Sequence, residues 1–481
     1  MRRFGCFRYV PMAALALAAA GCAVNPATGE RELMLVSEAQ EIQMGREADA
    51  QIVAQMGLYP DSALQAYVQR LGRELASRSE RPDLPWTFRV VDDPVVNAFA
   101  LPGGFIYVTR GILAHLGSEA ELAAVIGHEI GHVTARHSAS QMSRAMLAQL
   151  GVGAAAAFIP EVSDYAGLAN AGLGLLFLKY GREDESQADE LGLRYMTAAN
   201  YDPREMPGVF EMLGRVSQAA GGGRVPEWLS THPAPENRYE RITARVAAMP
   251  QDFGDARIER DAYLRRLDGL VFGDDPRQGF FRDGLFLHPE LRFQLAFPEG
   301  WKTANQRQAV VAVSPAEDAM MQLTLVEAES AAGAARAFAG GQGVSASAPR
   351  RLTIHGLPAA MVDYTATLEG GQPVAGEAAF IEHGGAVYRI LAYAVRARWG
   401  DYGGAVEAAI GSFQRLTDPD ALAVEPWRLD IVELKQAMTL DAFVRRFPTP
   451  APEETVGLIN AAEPGTRFHA GQLVKRIVGG A

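Results

Sequence analysis

The chain has 481 residues, of which 48% are hydrophobic and 21% are charged, and its formal net charge at pH 7 is -12. A chain of this length favours two or three domains over a single compact core. The negative balance excludes nucleic acid as an expected partner, because phosphate contacts need clustered positive charge.

The first 21 residues predict a secretory signal peptide. Arg2, Arg3 and Arg8 give the segment a positive start, and the apolar stretch at 12–20 is too short to span a bilayer. Removal of the leader would take away three arginines and no acid, so the mature chain would be more negative still.

The leader ends in a segment, 17–22, that resembles the lipobox of bacterial lipoproteins, with Ala19 where leucine is usual. This resemblance implies that Cys22 is lipidated and anchors the chain in a membrane. Ala23, which follows it, implies the periplasmic face of the outer membrane. The alternative is an ordinary signal peptide with an incidental cysteine. Because the chain's only other cysteine, Cys6, lies in the leader, no internal disulfide is expected.

Two helices and two strands are predicted at the start of the mature chain. Ser37 and Gln40 have the spacing of a capping box for the first helix, and the turn 102–104 separates the strands. The predicted elements are helices at 37–56 and 61–79 and strands at 86–91 and 105–109.

Ser118 and Glu121 predict a second capping box, for a helix that runs to Ser140. The Ala/Gly-rich stretch at 146–178 predicts a buried helical pair rather than a membrane span, because Pro160 and its acidic neighbours interrupt it. The remaining predictions for the first domain are a helix around Glu185, a helix at 202–218, a glycine loop at 221–223 and a final helix after Pro235.

The composition then predicts a helical linker at 254–283 and an α+β accessory domain at 284–420. Its predicted elements are strands at 291–297, 321–327, 359–367 and 379–395 and helices at 331–338 and 401–413.

The last segment, 424–481, predicts the order strand, helix, helix, strand. Asn460 and the ending 471–475 resemble the LysM fold, which implies peptidoglycan binding. A small packing domain without glycan affinity is the alternative.

The motif His128-Glu129-Ile130-Gly131-His132 places two imidazoles four residues apart, on one face of the predicted helix. Neutral imidazole suits zinc, and a catalytic zinc takes a third protein ligand from elsewhere. Glu185 is the best candidate, and Asp189, four residues later, is placed to accept a hydrogen bond from a ligand histidine. Glu129 is the predicted general base.

Five segments together resemble the zinc metallopeptidase family of the heat-shock protease HtpX and the CAAX prenyl endopeptidases, peptidase family M48. They are 25–29, 97–104, the motif 128–132, 182–189, and 231–233 with Arg238. The resemblance implies a gluzincin domain over 22–253, with one Zn²⁺ on His128, His132 and Glu185, Glu129 as base and Asp189 in support.

The same resemblance assigns roles to further residues. It makes 97–104 (Asn97, Ala98, Phe99 and Ala100 at its start) an edge strand to which a substrate peptide adds itself. His232 would donate to the oxyanion or cap the zinc, and Arg238 would orient an acid or a substrate carbonyl. His137 is expected to point away from the ligands, as a packing or surface residue.

These features predict a lipid-anchored periplasmic zinc metalloendopeptidase that hydrolyses misfolded or misassembled envelope proteins. Two alternatives remain. One is an envelope binding or chaperone-like lipoprotein with a latent zinc site, and the other is a hydrolase of peptidoglycan peptides.

Overall fold

The computed structural model describes residues 22–149, 180–219, 232, 237–368 and 371–480. The predicted leader, most of the Ala/Gly-rich stretch and the predicted loop at 221–223 lie outside these residues. None of the helices in the described ranges is both long and apolar enough to cross a bilayer. Helices and sheets are both abundant, and the predicted α+β class is confirmed.

The chain forms two compact units, and the first contains the residues up to Gly273 together with Arg428–Val478. Its N-terminal strands are β1 (Cys22–Val24), β2 (Arg31–Leu33), β3 (Thr87–Val91), β4 (Ala98–Leu101) and β5 (Phe105–Thr109). Its first helices are α1 (Glu38–Met56), α2 (Ser62–Ala76), α3 (Arg110–His115), α4 (Glu119–Thr134), α5 (His137–Gln149), α6 (Arg182–Ala198), α7 (Met206–Ala219), α8 (Arg238–Ala247) and α9 (Arg260–Arg266).

The predicted capping box of α1 is confirmed. The Ser37 hydroxyl accepts from the Gln40 amide at 3.3 Å, and the Gln40 side chain accepts from the Ser37 amide at 2.8 Å. The box of α4 is only half formed. Ser118 accepts from the Glu121 amide at 3.1 Å, but the Glu121 carboxylate accepts from Gly117 instead of returning to Ser118.

Strands β3, β5 and β4 form a three-stranded sheet in that order. β3 runs parallel to β5, and β4 runs antiparallel to it. The chain turns between β4 and β5 at Gly103 and Gly104, whose φ angles of 79° and 100° favour glycine. Strand β4 therefore lies at an edge of this sheet.

The helix that carries the zinc motif is shorter than predicted. α4 ends at Thr134, and Arg136, with φ of 61°, turns the chain before α5 begins at His137. A left-handed residue cannot continue an α-helix, so the expected single helix to Ser140 is two helices.

Residues 254–273, the greater part of the segment predicted as a helical linker, belong to the first unit. The α9 residues Tyr263 and Leu264 are fully buried, and the Tyr263 hydroxyl donates to the Leu113 carbonyl at 2.8 Å. The second unit accordingly begins at Asp274 rather than at 284.

The second unit is built on antiparallel sheets. Its strands are β6 (Phe280–Arg282), β7 (Leu285–His288), β8 (Phe293–Ala296), β9 (Lys302–Gln306), β10 (Ala309–Val313), β11 (Ala319–Val326), β12 (Val344–Ala346), β13 (Arg350–Ile354), β14 (Leu357–Thr367), β15 (Pro373–His383), β16 (Ala386–Val395) and β17 (Gln414–Arg415). Its helices are α10 (Ala331–Ala339), α11 (Trp399–Gly411) and α12 (Pro419–Leu422).

The larger sheet follows the order β12-β14-β15-β16-β11-β10-β9, with β13 also paired to β14. The smaller sheet has the order β17-β8-β7-β6. The strand predicted at 379–395 is instead a hairpin of β15 and β16. Gly384 and Gly385, with φ angles of 60° and 83°, form its turn between apolar runs that looked continuous in the sequence.

The C-terminal segment contains β18 (Arg428–Glu433), β19 (Met438–Thr439), α13 (Leu440–Arg446), α14 (Glu453–Ile459), β20 (Arg467–Phe468) and β21 (Leu473–Val478). β18 pairs antiparallel with β21, so the two predicted strands are joined, with the two helices between them. The likeness to LysM stays a prediction.

This segment belongs to the first compact unit rather than forming a separate one. The Leu429 amide donates to the Leu270 carbonyl at 2.8 Å, and the Leu429 carbonyl accepts from the Gly269 amide at 2.8 Å. The buried Lys475 ammonium donates to the carbonyls of Ala114 and Leu116 at 2.8 and 2.6 Å. The C-terminal strand pair is therefore tied to the residues that precede the motif helix.

Candidate metal centre

The site is formed where two helices cross at very short range. α4 carries His128, Glu129 and His132, and α6 carries Glu185 and Asp189. Small residues make the close crossing possible: a Cβ on Gly127 would lie 3.1 Å from the Gly192 carbonyl, and one on Gly131 would lie 2.9 Å from the Ala188 carbonyl.

Four side chains converge at this crossing: His128, His132, Glu185 and His232, all of them buried. The Nε2 atoms of His128 and His132 are 3.0 Å apart. The Glu185 carboxylate lies 3.6 Å from the first nitrogen and 3.4 Å from the second. The predicted ligands His128, His132 and Glu185 are thus brought together.

These atoms fit a zinc ion. Ligand atoms around a tetrahedral zinc lie about 3.3 Å apart, given metal–ligand distances of about 2.0 Å. The three separations of 3.0, 3.4 and 3.6 Å bracket that value, and the donors, two imidazoles and a carboxylate, are those of catalytic zinc. The histidines lower the pKa of Glu185 well below its usual range, against the opposing effect of burial.

Glu129 lies beside this cluster and is fully buried. Neither of its carboxylate oxygens has a hydrogen-bond partner in the part of the chain that the structure describes. A buried carboxylate without such a partner is costly, and it is characteristic of a group that acts on a bound ligand.

Asp189, the predicted partner of a ligand histidine, lies beside His128. The Asp189 carboxylate lies 3.0 Å from His128 Nδ1, so a neutral His128 with its proton there would donate to it. Arg238 and Arg241 both donate to Asp189, at 3.0 and 2.6 Å, and the Arg238 guanidinium is also 2.9 Å from Glu185. Burial alone would raise the pKa of Asp189, but Arg238 and His128 hold it below its usual value.

His232 also lies in the cluster. Its Nδ1 is 2.8 Å from a Glu185 oxygen, and its Nε2 is 3.6 Å from Glu129. Burial alone would lower the pKa of His232, but the two carboxylates outweigh it and raise the pKa.

The edge-strand residues Asn97, Ala98, Phe99 and Ala100 are buried along β4 or next to it. The Asn97 carbonyl accepts from the Thr109 amide at 3.1 Å and so extends the pairing of β4 with β5. Arg241 was missed in the sequence; its spacing of three residues from Arg238 on one helix is the signal that would have found it.

The prediction that His137 points away from the ligands is wrong. Its Nδ1 lies 2.9 Å from Nδ1 of His132. The helical geometry used for that prediction ends at Thr134, and the turn at Arg136 brings His137 back toward the ligand. Tyr180, also missed, stacks on His132 with ring centroids 3.8 Å apart.

The crossing helices and the converging donors form a candidate metal centre of the kind that zinc metallopeptidases use. Residues 62–246 match the family model described as "Peptidase family M48". Residues 62–246 are thus assigned by similarity to this family, the one that the motifs resemble.

Curated relatives agree with this assignment. The mitochondrial metalloendopeptidase OMA1 of Arabidopsis thaliana is 37% identical over 179 residues, 37% of this chain and 34% of that protein. The beta-barrel assembly-enhancing protease of Escherichia coli is 32% identical over 223 residues, 44% of this chain and 45% of that protein. OMA1 of Schizosaccharomyces pombe is 33% identical over 226 residues, 45% of this chain and 64% of that protein.

The chain thus spans less than two thirds of each of these relatives. Among solved structures, cyanobacterial PsbP from Synechocystis matches 27% of the chain and 91% of its own length with 14% identity and a TM-score of 0.23, below the level that indicates a shared fold.

Proposed function

We propose that the chain is a lipid-anchored periplasmic zinc metalloendopeptidase that hydrolyses misfolded or misassembled envelope proteins. The observation that carries the activity is Glu129, buried beside three zinc-ligand side chains with no hydrogen-bond partner among the described residues. The names of the relatives support proteolysis, and one of them refers to β-barrel assembly.

The side chains divide the chemistry between them. Zinc held by His128, His132 and Glu185 would polarise the peptide carbonyl and activate a water. Glu129 takes the proton of that water as it attacks and passes it to the leaving amine. His232, whose Nε2 lies 3.6 Å from the Glu129 carboxylate, donates a hydrogen bond to the oxygen on which negative charge develops.

Strand β4 supports an extended substrate. A peptide that adds to a sheet edge is held by main-chain hydrogen bonds, which read backbone shape more than sequence. Residues 97–100 supply this edge, and the buried Asn97 side-chain oxygen has no hydrogen-bond partner among the described residues. Unfolded protein presents the extended backbone that such an edge accepts.

The cellular place rests on the sequence at the start of the chain. A charged leader followed by a lipobox-like segment supports lipidation of Cys22, which begins strand β1. Peptidoglycan binding by the C-terminal segment remains a prediction from its LysM-like order of elements.

Casein cleavage by the purified chain tests this function. We expect Glu129→Gln to lower kcat by at least about 100-fold, because general-base catalysis contributes that much, with zinc content unchanged. Glu183→Gln, an exposed glutamate on α6, is the matched control and should cleave like the parent. If Glu129→Gln cleaves casein as fast as the parent does, Glu129 is not the general base. A parent that binds unfolded chains without cleaving them would favour the chaperone-like alternative.

The substrate class is tested in cells. Comparison of the envelope proteome of cells that carry the parent with that of cells that carry Glu129→Gln should show envelope proteins accumulating in the variant. An unchanged envelope proteome would contradict the proposed substrate class without affecting the casein result.

A further inference from the structure

The two histidine ligands have different partners at their second ring nitrogens. His128 Nδ1 faces the carboxylate of Asp189 at 3.0 Å, whereas His132 Nδ1 faces another imidazole, that of His137, at 2.9 Å. His137 is buried, and its Nε2 lies 2.8 Å from the side-chain oxygen of Gln187 on α6.

The positions of the protons follow from these contacts. His132 presents Nε2 to the ligand cluster, so a neutral His132 carries its proton on Nδ1 and donates it to His137 Nδ1. His137 then carries its own proton on Nε2 and donates it to the Gln187 oxygen. With both rings neutral, each ring nitrogen in this series of hydrogen bonds has a single role as donor, acceptor or metal ligand.

The same series of hydrogen bonds joins the helices around the site. His137 begins α5, and Gln187 lies on α6 between Glu185 and Asp189. Asp184 is 3.8 Å from His137 Nε2, beyond hydrogen-bond range, so the neutral Gln187 is its direct partner. Tyr180 stacks on the His132 ring, and the Tyr180 hydroxyl lies 3.0 Å from that of Ser138 on α5.

We propose that His137 is the positioning residue of the zinc site, which fixes the tautomer and orientation of His132 by accepting its Nδ1 proton and passing the constraint to Gln187. This inference rests on the proposed zinc site. His132 then has a neutral partner, His137, whereas His128 has a charged partner, Asp189. Partners of this kind contribute about 10- to 100-fold to metal affinity.

Two substitutions at one position separate this role from simple packing. In His137→Asn the side-chain oxygen stands near the place of Nδ1 and can still accept from His132. In His137→Gln the terminal amide stands near the place of Nε2, and the acceptor for His132 is lost. Glutamine is closer to histidine in size, so a packing role predicts that His137→Gln is the milder change.

The measurement is zinc affinity by competition with a chromophoric chelator, with thermal unfolding of the metal-free proteins as a folding control. We expect His137→Asn to bind zinc within about threefold of the parent and His137→Gln to bind it about 10- to 100-fold more weakly. Gln187→Met should weaken zinc binding less, in the same direction. His115→Gln, at a half-buried histidine that contacts the Gly111 carbonyl at 2.8 Å, should leave affinity unchanged.

Equal affinities of the Asn and Gln variants, or tighter binding by His137→Gln, would overturn the positioning role and leave the zinc site intact. If either variant fails to fold, an unchanged affinity in Gln187→Met overturns it instead. A parent that binds no zinc in the same titration would overturn the proposed function as well, so the two failures are distinguishable.

Discussion

Gly192 lies against the backbone of His128 where α4 and α6 cross, and a Cβ on Gly192 would stand 2.8 Å from the His128 amide nitrogen. Real Cβ atoms essentially never come so close to backbone, so any larger residue must push the helices apart. The distance between Glu185 and the two histidines is therefore set by a residue that binds nothing itself.

This relationship predicts that Gly192→Ala weakens zinc binding by roughly 10-fold or more and destabilises the folded state by about 1–3 kcal/mol. Gly214→Ala is the matched control, because its Cβ would meet nothing within 4 Å on helix α7. Chelator competition and urea unfolding measure the two effects. Parental zinc affinity in Gly192→Ala would show that the crossing does not set the ligand geometry.

A second prediction follows from the contacts of the buried Lys475. Its ammonium holds the carbonyls of Ala114 and Leu116, and burial lowers the pKa of Lys475. Lys475→Met leaves both carbonyls without this donor, so we expect a loss of about 1–3 kcal/mol in the free energy of unfolding. Urea unfolding measures it. Lys435→Met, at an exposed lysine of the same segment, should have little effect. Equal losses in Lys475→Met and Lys435→Met would mean that Lys475 does not tie the C-terminal strands to the rest of the first unit.

A pH dependence follows from Glu377 in the second unit. It lies opposite Asp363 in the β14–β15 register, and burial together with Asp363 raises the pKa of Glu377 to about 7. An acid whose pKa is raised by folding binds more protons in the folded state, so its contribution to stability is present below the ordinary pKa and is lost as the pH rises through 7.

We therefore expect Glu377→Gln to become more stable relative to the parent between about pH 5 and pH 8, by about 1 kcal/mol after allowance for the half-exposed side chain. Unfolding free energies of both proteins across this range provide the measurement. The exposed Glu327→Gln should differ from its parent by a constant amount. A pH-independent difference for Glu377→Gln would contradict the raised pKa.

The candidate zinc ligands could be predicted because they lie at local spacings. His128 and His132 are four residues apart on one helix, and Glu185 and Asp189 repeat that spacing on another. The sequence could not predict which face each helix presents to the other. The glycines at the crossing matter only through contacts with residues far away in the sequence, and no local pattern indicates those contacts.

The features that the sequence failed to predict also depend mostly on structure that no local spacing indicates. His137 was assigned by extending a helix through Arg136, where the backbone turns left-handed, so its contact with His132 was lost. Lys475 contacts residues more than three hundred positions away, and no local pattern reports such a contact. Gly384 and Gly385 did carry a local signal, as Arg241 did, since paired glycines inside an apolar run indicate a hairpin.

The central claim is that one zinc ion is held by imidazoles of α4 and the carboxylate at position 185. Zinc content of the purified protein, measured by mass spectrometry after dialysis against a weak chelator, tests it most directly. We expect about one zinc per chain in the parent and in the exposed control Glu183→Ala, and far less in Glu185→Ala. Full zinc occupancy in Glu185→Ala would contradict the account.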